Sequence, residues 1–330
     1  DREICVSTSN CELCSNRCLI TSAHVENLAE KPSFGYLCGR EPHEKHLRKN
    51  EEYAPFRTRK TALAIRRPKT PNGLPRIGIP LALTTHGYAP LYRTLIEELG
   101  GEAVFSGETN RETADLGSRC VGSDFCFPVK VAHGHIAQLL QAGDVAGVFV
   151  PAMIEELRNK STTRNRFCPY VEGLAGLVQS AFDGKTGTAR LITPVIDMNL
   201  PVREIAAELA RSFEGVLNVT ARECGRAWKT ALQAQEAFFK SLEESGRKVL
   251  EDLERTGRKG IVVIGRPYNT QDSMVSSSIP AKISEHGFTV IPMDMLPFQP
   301  ERLGPALDNM YWNYGQKIMS AVRQVAENPN

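Results

Sequence analysis

The sequence predicts an α/β protein built on parallel, doubly wound, Rossmann-like sheets, with a small Cys-rich metal-binding segment at its amino terminus. From Arg76 onward, short apolar runs alternate with amphipathic stretches of helical period. Such β–α–β alternation forms parallel sheets with right-handed crossovers. Before Arg76 the chain is polar and rich in cysteine, which leaves it too little apolar surface for a core of its own.

These changes in pattern divide the chain into five parts. A Cys-rich metal-binding segment is predicted over 1–45 and a basic linker over 46–75. The first α/β domain is predicted over 76–200, a long helical connector over 201–257, and a second α/β unit over 258–330. Because two strands rarely complete a domain, we expect the second unit to be truncated.

The first α/β domain opens with two clear signals. "RIGIPLAL" predicts a strand over 76–83, and the amphipathic "APLYRTLIEELGG" predicts a helix over 89–101 that ends at two glycines. The other predicted elements are a polar helix or turn, strands over 102–106, 145–151 and 189–197, a helix over 126–142 and a helix after Cys168.

The connector is almost continuously helical over 201–256. A buried strand and a loop are then predicted in "KGIVVIGRPYN" (259–269). The remaining elements predicted for the second unit are helices near 276–286 and 311–326 and a strand over 288–294.

The composition is that of an ordinary soluble globular protein, with 41% apolar and 24% charged residues in 330. No apolar run approaches the roughly 20 residues of a membrane helix. Nine cysteines, concentrated towards the amino terminus, favour metal ligands in a reducing cytoplasm over a disulfide framework. The chain begins with Asp and ends without a terminal signature, so we expect it to be part of a longer protein.

A basic stretch over 57–76 holds seven Lys or Arg residues and no acid. Such a stretch could bind nucleic acid, but it lacks the interleaved aromatic residues that stack on bases. We therefore interpret it as a solvated linker, and nucleic-acid binding is the weakest of the functions considered.

The amino-terminal cysteines predict a metal site. The spacing C-x2-C-x3-C-x19-C gives four soft ligands in a segment without a core, so a bound metal would supply its folding energy. The metal is either zinc or an iron–sulfur cluster, and His24 or His43 could replace one ligand if it is zinc. The predicted ligands are Cys11, Cys14, Cys18 and Cys38.

Cys126 and Cys168 share a different setting. Each follows a strand and stands just before a proline at a predicted helix start, Pro128 or Pro169. The segments that leave the carboxyl ends of parallel strands meet at one edge of the sheet, and a helix N-terminus favours negative charge on sulfur. We therefore predict that both are thiolate ligands of one cluster.

Two residues on the helix after Cys126 belong to the same predicted cofactor site. Lys130 and His133 share the face of Cys126 and would tune the cluster, His133 as a positioned residue rather than a ligand. The alternatives for Cys126 and Cys168 are inert core cysteine and a catalytic nucleophile, for which no Cys–His–acid set is evident. Cys120 and Cys224 lack the helix-start setting and are predicted to be core.

Several motifs resemble one family. They are "SDFCFPVKVAHGHIAQL", "CPYVEGL", "GRPYNTQDS", "SIPAKISEHGFTVIPMDMLP", "YWNYGQKIMSAVRQVA" and the amino-terminal "CELCSNRC". Together they resemble the central, dehydratase-like region of the large activase-related proteins of 2-hydroxyacyl-CoA dehydratases. The resemblance spans essentially the whole chain.

The resemblance implies flavodoxin-like domains and anaerobic, ATP-driven electron transfer. In that system an actin-like ATPase activator with a [4Fe-4S] cluster passes an electron to a dehydratase, and Cys126 and Cys168 match the cluster-binding cysteines of the dehydratase-like superfamily. No ATPase phosphate loop is present in this sequence. A [4Fe-4S] cluster usually has four ligands, so we expect the cluster to lack ligands on this chain, with a further cysteine beyond residue 330.

Two functions follow as hypotheses. The first is an iron–sulfur component of ATP-dependent activation of, or electron transfer to, a 2-hydroxyacyl-CoA dehydratase, with the ATPase activator or a dehydratase-type domain as partner. The second is a non-redox, zinc-stabilised α/β module that docks partner proteins or acyl-CoA. Whether the chain itself is an enzyme is left open.

Overall fold

The computed structural model describes residues 4–12, 17–26, 31–36, 51–65, 73–158, 164–307 and 309–328. At the amino terminus, strands β1 (Ile4–Asn10), β2 (Leu19–Val25) and β3 (Ser33–Phe34) form a small antiparallel sheet in the order β1-β2-β3. Every residue of β1 is exposed. The buried residues of this segment are Cys11, Cys18 and Ile20, with Tyr36 packed against them.

The described part of the predicted linker is folded. A 3-10 turn over Glu51–Tyr53 leads into helix α1 (Ala54–Ala62). Phe56 and Arg59 of this helix are buried. Arg59 Nε donates to both carboxylate oxygens of Asp294, at 2.9 and 2.8 Å. Residues 51–65 are therefore not a solvated linker. The sequence suggested surface charge, but Arg59 is buried and forms an ion pair with Asp294.

The first α/β unit contains the predicted parallel sheet. Strands β4, β5, β6 and β8 pair in the order β5-β4-β6-β8, and every pair is parallel. The elements in chain order are β4 (Arg76–Ile79), α2 (Thr85–Glu98), β5 (Glu102–Phe105), α3 (Arg111–Cys120), α4 (Phe127–Ala142), β6 (Gly147–Phe149), β7 (Ala152–Glu155), α5 (Pro169–Glu172), α6 (Leu174–Phe182), β8 (Arg190–Ile192) and β9 (Val195–Asp197). The α/β class with a parallel sheet is confirmed.

Prolines interrupt two of the strand regions. The strand predicted over 145–151 contains β6 alone, and β7, which the sequence did not predict, follows it; the strand predicted over 189–197 is divided into β8 and β9. Pro151 separates β6 from β7, and Pro194 lies just before β9. Proline has no N–H to donate to a ladder. The pairing nevertheless continues across the break, since Val150 N donates to Ile192 O and Ala152 N donates to Pro194 O, both at 2.8 Å. Strands β7 and β9 pair with each other in parallel and form a separate two-stranded sheet.

Helices α3 and α4 touch through their backbones. A Cβ added at Gly117 would overlap the carbonyl of Lys130, and one added at Gly134 would overlap the carbonyl of Thr113. Glycine is therefore required at both positions for this approach. The contact fixes α4, and with it the position of Cys126 at its N-terminus.

Two helices follow β9: α7 (Val202–Ser212) and the 36-residue α8 (Ala221–Thr256). Thr220 and Glu223 form a capping box at the start of α8, and Gly257 ends it in a left-handed conformation. Helix α8 packs along α2 of the first unit and, at Gly246, against the backbone of Met295 in the second. Helix α8 therefore packs against both units and is more than a covalent link between them.

The second unit holds a parallel pair of strands. Its elements are β10 (Gly260–Val263), α9 (Pro267–Thr270), α10 (Ile279–Glu285), β11 (Thr289–Pro292) and α11 (Asn313–Glu327). The positions agree with those predicted near 259–269, 276–286, 288–294 and 311–326. None of the described helices is both long and apolar enough to cross a membrane.

Candidate functional site

Cys126 and Cys168 stand at the starts of two helices of the first unit. Cys126 is the N-cap of α4 and Cys168 the N-cap of α5, each with a proline in the first turn. The Cys126 carbonyl accepts from Val129 N at 3.0 Å, and the Cys168 carbonyl accepts from Val171 N at 2.7 Å. The helix starts lie where the prolines predict them.

The two helix starts contact each other through aromatic neighbours. The Phe125 ring, next to Cys126, meets the Tyr170 ring edge-to-face with centroids 5.6 Å apart. Cys126 is exposed and Cys168 is half-buried. Although 42 positions separate the two cysteines in sequence, their segments meet at one edge of the fold.

A third helix start joins them. Arg266 is the N-cap of α9, with Pro267 in the first turn, directly after β10. Tyr268 is buried, and its ring contacts that of Tyr314 at 6.1 Å. Tyr314 in turn contacts Phe167, the residue before Cys168, at 6.2 Å. The aromatic contacts therefore link the "GRPYN" loop to the segment that carries Cys168.

Arg266, Tyr268 and the two cysteines also influence one another electrostatically. Burial lowers the pKa of Arg266, but Tyr268 and both cysteines raise it, and the net shift is upward. Burial raises the pKa of Tyr268 to about 12, against the lowering effect of Arg266 and with a further contribution from Cys168 and Cys126. Arg266 is therefore a cation close enough to both cysteines to interact with them electrostatically.

Arg266 and Tyr268 were missed as site residues by the sequence analysis. The signal was present, because Arg266-Pro267 follows a strand with the same helix-start pattern as Cys168-Pro169. We define Cys126, Cys168, Arg266 and Tyr268 as the cysteine edge.

Lys130 and His133 lie beside this edge in different environments. Lys130 Nζ pairs with Asp124 at 2.7 Å. His133 is buried, its Nδ1 lies 2.8 Å from Val129 O, and its ring stacks on Phe125 at 6.4 Å. Burial lowers the pKa of His133, and its backbone hydrogen bond opposes that shift. His133 is thus placed to support the Phe125 ring, and a role for either residue in cofactor binding stays a prediction.

The predicted amino-terminal metal site is only partly within the described residues. Cys11 and Cys18 are buried, and Cys11 N donates to Cys18 O at 2.8 Å. Cys14, Cys38 and His43 lie outside the described residues. Within the part of the chain that the structure describes, no three His, Cys, Asp or Glu side chains are grouped to hold a metal ion. Metal binding here stays a prediction.

The two cysteines predicted to be core differ in burial. Cys224 is fully buried in α8, and burial, with Glu223, raises the pKa of its thiol to about 11. This prediction is confirmed. Cys120, at the end of α3, is partly buried against the core, and burial raises its pKa.

Residues 76–296 match the family described as the CoA enzyme activase uncharacterised domain (DUF2229). The chain belongs to this family. The matched region covers more than half of the chain and includes both cysteines and Arg266 of the cysteine edge. Among curated proteins and among solved structures, no match was found. The predicted relation to activase-related proteins is thus confirmed.

Proposed function

We propose that this CoA enzyme activase family member is an iron–sulfur component that transfers electrons within the activation of a 2-hydroxyacyl-CoA dehydratase. The observation that carries the proposal is the meeting of two cysteine-bearing helix starts with the Arg266 cation at one edge. The proposed partners are an actin-like ATPase activator and a dehydratase-type domain.

The donor set of the cysteine edge fits a cluster. Cys126 and Cys168 would hold a [4Fe-4S] cluster, whose chemistry when bound is one-electron transfer. The edge offers two thiols, so the remaining ligands would come from another segment or a partner.

The chain's own residues supply the surroundings. Arg266 would offset part of the negative charge of a bound cluster, since a guanidinium keeps its charge at all accessible pH values. Phe125 and Tyr170 pack edge-to-face beside the two cysteines and hold the two helix starts together. Tyr268 stays protonated because burial raises its pKa, so it can donate a hydrogen bond towards an anion.

A second candidate function rests on the amino-terminal segment. The backbone hydrogen bond between Cys11 and Cys18 closes a loop with two buried cysteines. Such a loop suits structural zinc or a second iron–sulfur cluster. If zinc is the chain's metal, the proposed function becomes that of a non-redox module that docks partner proteins or acyl-CoA.

Metal analysis separates the two functions. We expect anaerobically purified protein to contain iron and acid-labile sulfide, and the Cys126→Ala/Cys168→Ala variant to lose one cluster's iron while any amino-terminal metal remains. Cys120→Ala is the matched control and should retain the full iron content. Equal iron in the double variant and the control would contradict the proposal, and stoichiometric zinc with no iron would favour the second function.

A further inference from the structure

A groove of about 450 Å³ lies between helix α7 and the start of α8, which pack against each other. Four cationic residues line it, and all four are exposed. Among the described residues that line the groove, none is acidic and none is aromatic. We call this surface the basic groove. Its cations are Arg203 of α7 and Arg222, Arg226 and Lys229 of α8.

The three cations of α8 form one stripe. Arg222, Arg226 and Lys229 follow one another at i, i+4 and i+7, so they share a face of the helix over about 10 Å of its length. Like charges at this spacing repel one another and destabilise the helix. An anionic group that lies along the stripe would offset this repulsion.

Two carboxylates near the groove neutralise part of its charge. Glu204 lies 3.8 Å from Arg203 on α7. Glu223 attracts Arg226, although it also accepts a hydrogen bond from Thr220 at 2.7 Å as part of the helix cap. One cation on each helix is therefore partly compensated within the chain.

Arg222 and Lys229 have no such neighbour. Within the ranges that the structure describes, neither of them forms an ion pair. Further along the same helix, Arg247 and Arg255 each pair with a carboxylate one turn away. The later turns of α8 therefore neutralise their own charges, whereas the stripe at its start keeps two positive charges that can attract an external anion.

The floor of the groove is apolar and built from small side chains. A Cβ added at Gly225 would lie 3.5 Å from Ala206 and 3.7 Å from Val202, which are ordinary contact distances. Packing within the chain therefore does not require this glycine, although glycine destabilises a helix interior relative to alanine. At Gly246 of the same helix, by contrast, a Cβ would overlap the backbone of Met295. The bare backbone at Gly225 lets an outside backbone approach closely. The floor residues are Val202, Ala206, Ala221 and Gly225.

We propose that the basic groove docks an acidic helix of a partner protein. Carboxylates spaced at i, i+4 and i+7 on that helix pair with the stripe, and its small apolar side chains lie on the floor beside Gly225. A nucleic acid fits less well, because no aromatic side chain lines the groove to stack on bases. None of the lining residues belongs to the cysteine edge, so docking does not require a bound cluster.

Fluorescence anisotropy of the full chain tests the groove with a labelled amphipathic Glu/Ala/Leu peptide of about 20 residues, long enough to be helical alone. We expect saturable binding that weakens as salt is raised. Arg222→Gln/Lys229→Gln should weaken it about tenfold, the effect of losing two exposed charge pairs. Gly225→Leu, which fills the floor without changing charge, should weaken it several-fold.

Arg247→Gln/Arg255→Gln is the matched control, because it removes the same charge from the same helix at positions whose cations are already paired. It should leave the affinity unchanged, and melting temperatures show whether each variant is folded. The same peptide with Gln in place of Glu should not bind. Any one of four results would overturn the proposal: no saturable binding of the acidic peptide, equal binding of the Gln peptide, unchanged affinity in either groove variant, or tighter binding of a labelled oligothymidylate.

Discussion

The cysteine edge and the amino-terminal cysteine segment place the same side chain in opposite settings. Cys126 and Cys168 begin helices that are anchored to a parallel sheet and its large core. Cys11 and Cys18 belong to a three-stranded sheet whose buried cluster contains one other residue, Ile20. The comparison teaches that the first pair is positioned by a large core, whereas the second pair has little core around it. A metal proposed at Cys11 and Cys18 would therefore contribute more to the order of its segment than one proposed at the cysteine edge.

The largest expected effect is on stability and comes from a substitution in the α3–α4 contact, which positions Cys126. Gly134→Leu should destabilise the protein by roughly 3 kcal/mol, because the new side chain forces α4 away from the backbone of α3. Urea denaturation followed by the fluorescence of the two tryptophans, Trp228, which is buried in α8, and Trp312, measures this. Gly176→Ala is the control, since nothing lies near its added Cβ, and it should change stability by no more than about 1 kcal/mol. Equal stability of both variants would show that the α3–α4 contact does not fix the edge.

The second-largest expected effect is a decrease in the free energy of unfolding at acid pH. Burial, followed by Arg59, lowers the pKa of His86 to about 3. Burial also lowers the pKa of His135 to about 4, although Asp272 opposes the shift. Unfolded histidines take up protons below about pH 6.5 while these two cannot, so stability is full above pH 6.5 and falls as the pH decreases towards 4.

We expect a loss of roughly 2–4 kcal/mol between pH 6.5 and pH 4. Urea midpoints read by tryptophan fluorescence measure it. His286→Gln, at an exposed histidine of the second unit, is the control and should leave the pH profile unchanged. A urea midpoint that stays constant from pH 7 to pH 4 would show that the buried imidazoles do not oppose protonation.

Loss of the amino-terminal cysteines should have a local effect. In Cys11→Ser/Cys18→Ser we expect proteolysis within residues 1–45 to accelerate on the order of tenfold, because the metal proposed for this segment would be released. Residues 76–328 should stay resistant. Cys5→Ser, at an exposed position of β1, is the matched control. Limited proteolysis with mass spectrometry gives the rates, and unchanged cleavage in the double variant would remove the contrast between the two cysteine regions.

The smallest effect concerns Arg266. Arg266→Gln should lower the midpoint potential of a cluster at the cysteine edge on the order of tens of millivolts, since one positive charge near anionic sulfur is lost. Arg266→Lys keeps the charge and should recover most of the difference. Redox titration measures both, and identical potentials in wild type and Arg266→Gln would show that Arg266 does not act on the cluster.

Much of the secondary structure and the fold class could be predicted from short-range patterns in the sequence. Proline in the first turn located the helix starts after Cys126 and Cys168, and the alternation of apolar runs gave the parallel α/β class. Arg266 could have been found in the same way, from its own strand–Pro pattern. These features depend on neighbours in sequence, which is why the sequence alone reveals them.

Features that depend on distant partners were not predictable. Arg59 looks like surface charge until its partner Asp294, 235 positions away, is known. The Glu156–Lys317 pair joins residues 161 positions apart, so this contact between the two units has no local signature. Strand β7 was missed because the predicted strand ends at Pro151, and the break at Pro194 was missed because the apolar run over 189–197 fits one strand or two equally well.

The central claim is that Cys126 and Cys168 jointly hold one iron–sulfur cluster. Electron paramagnetic resonance of dithionite-reduced, anaerobically prepared protein tests it most directly, with Cys126→Ala and Cys168→Ala measured separately beside Cys120→Ala. The account predicts that either single substitution removes or alters the same cluster signal and that Cys120→Ala leaves it intact. A signal unchanged in both single variants, or altered in only one, would contradict the claim.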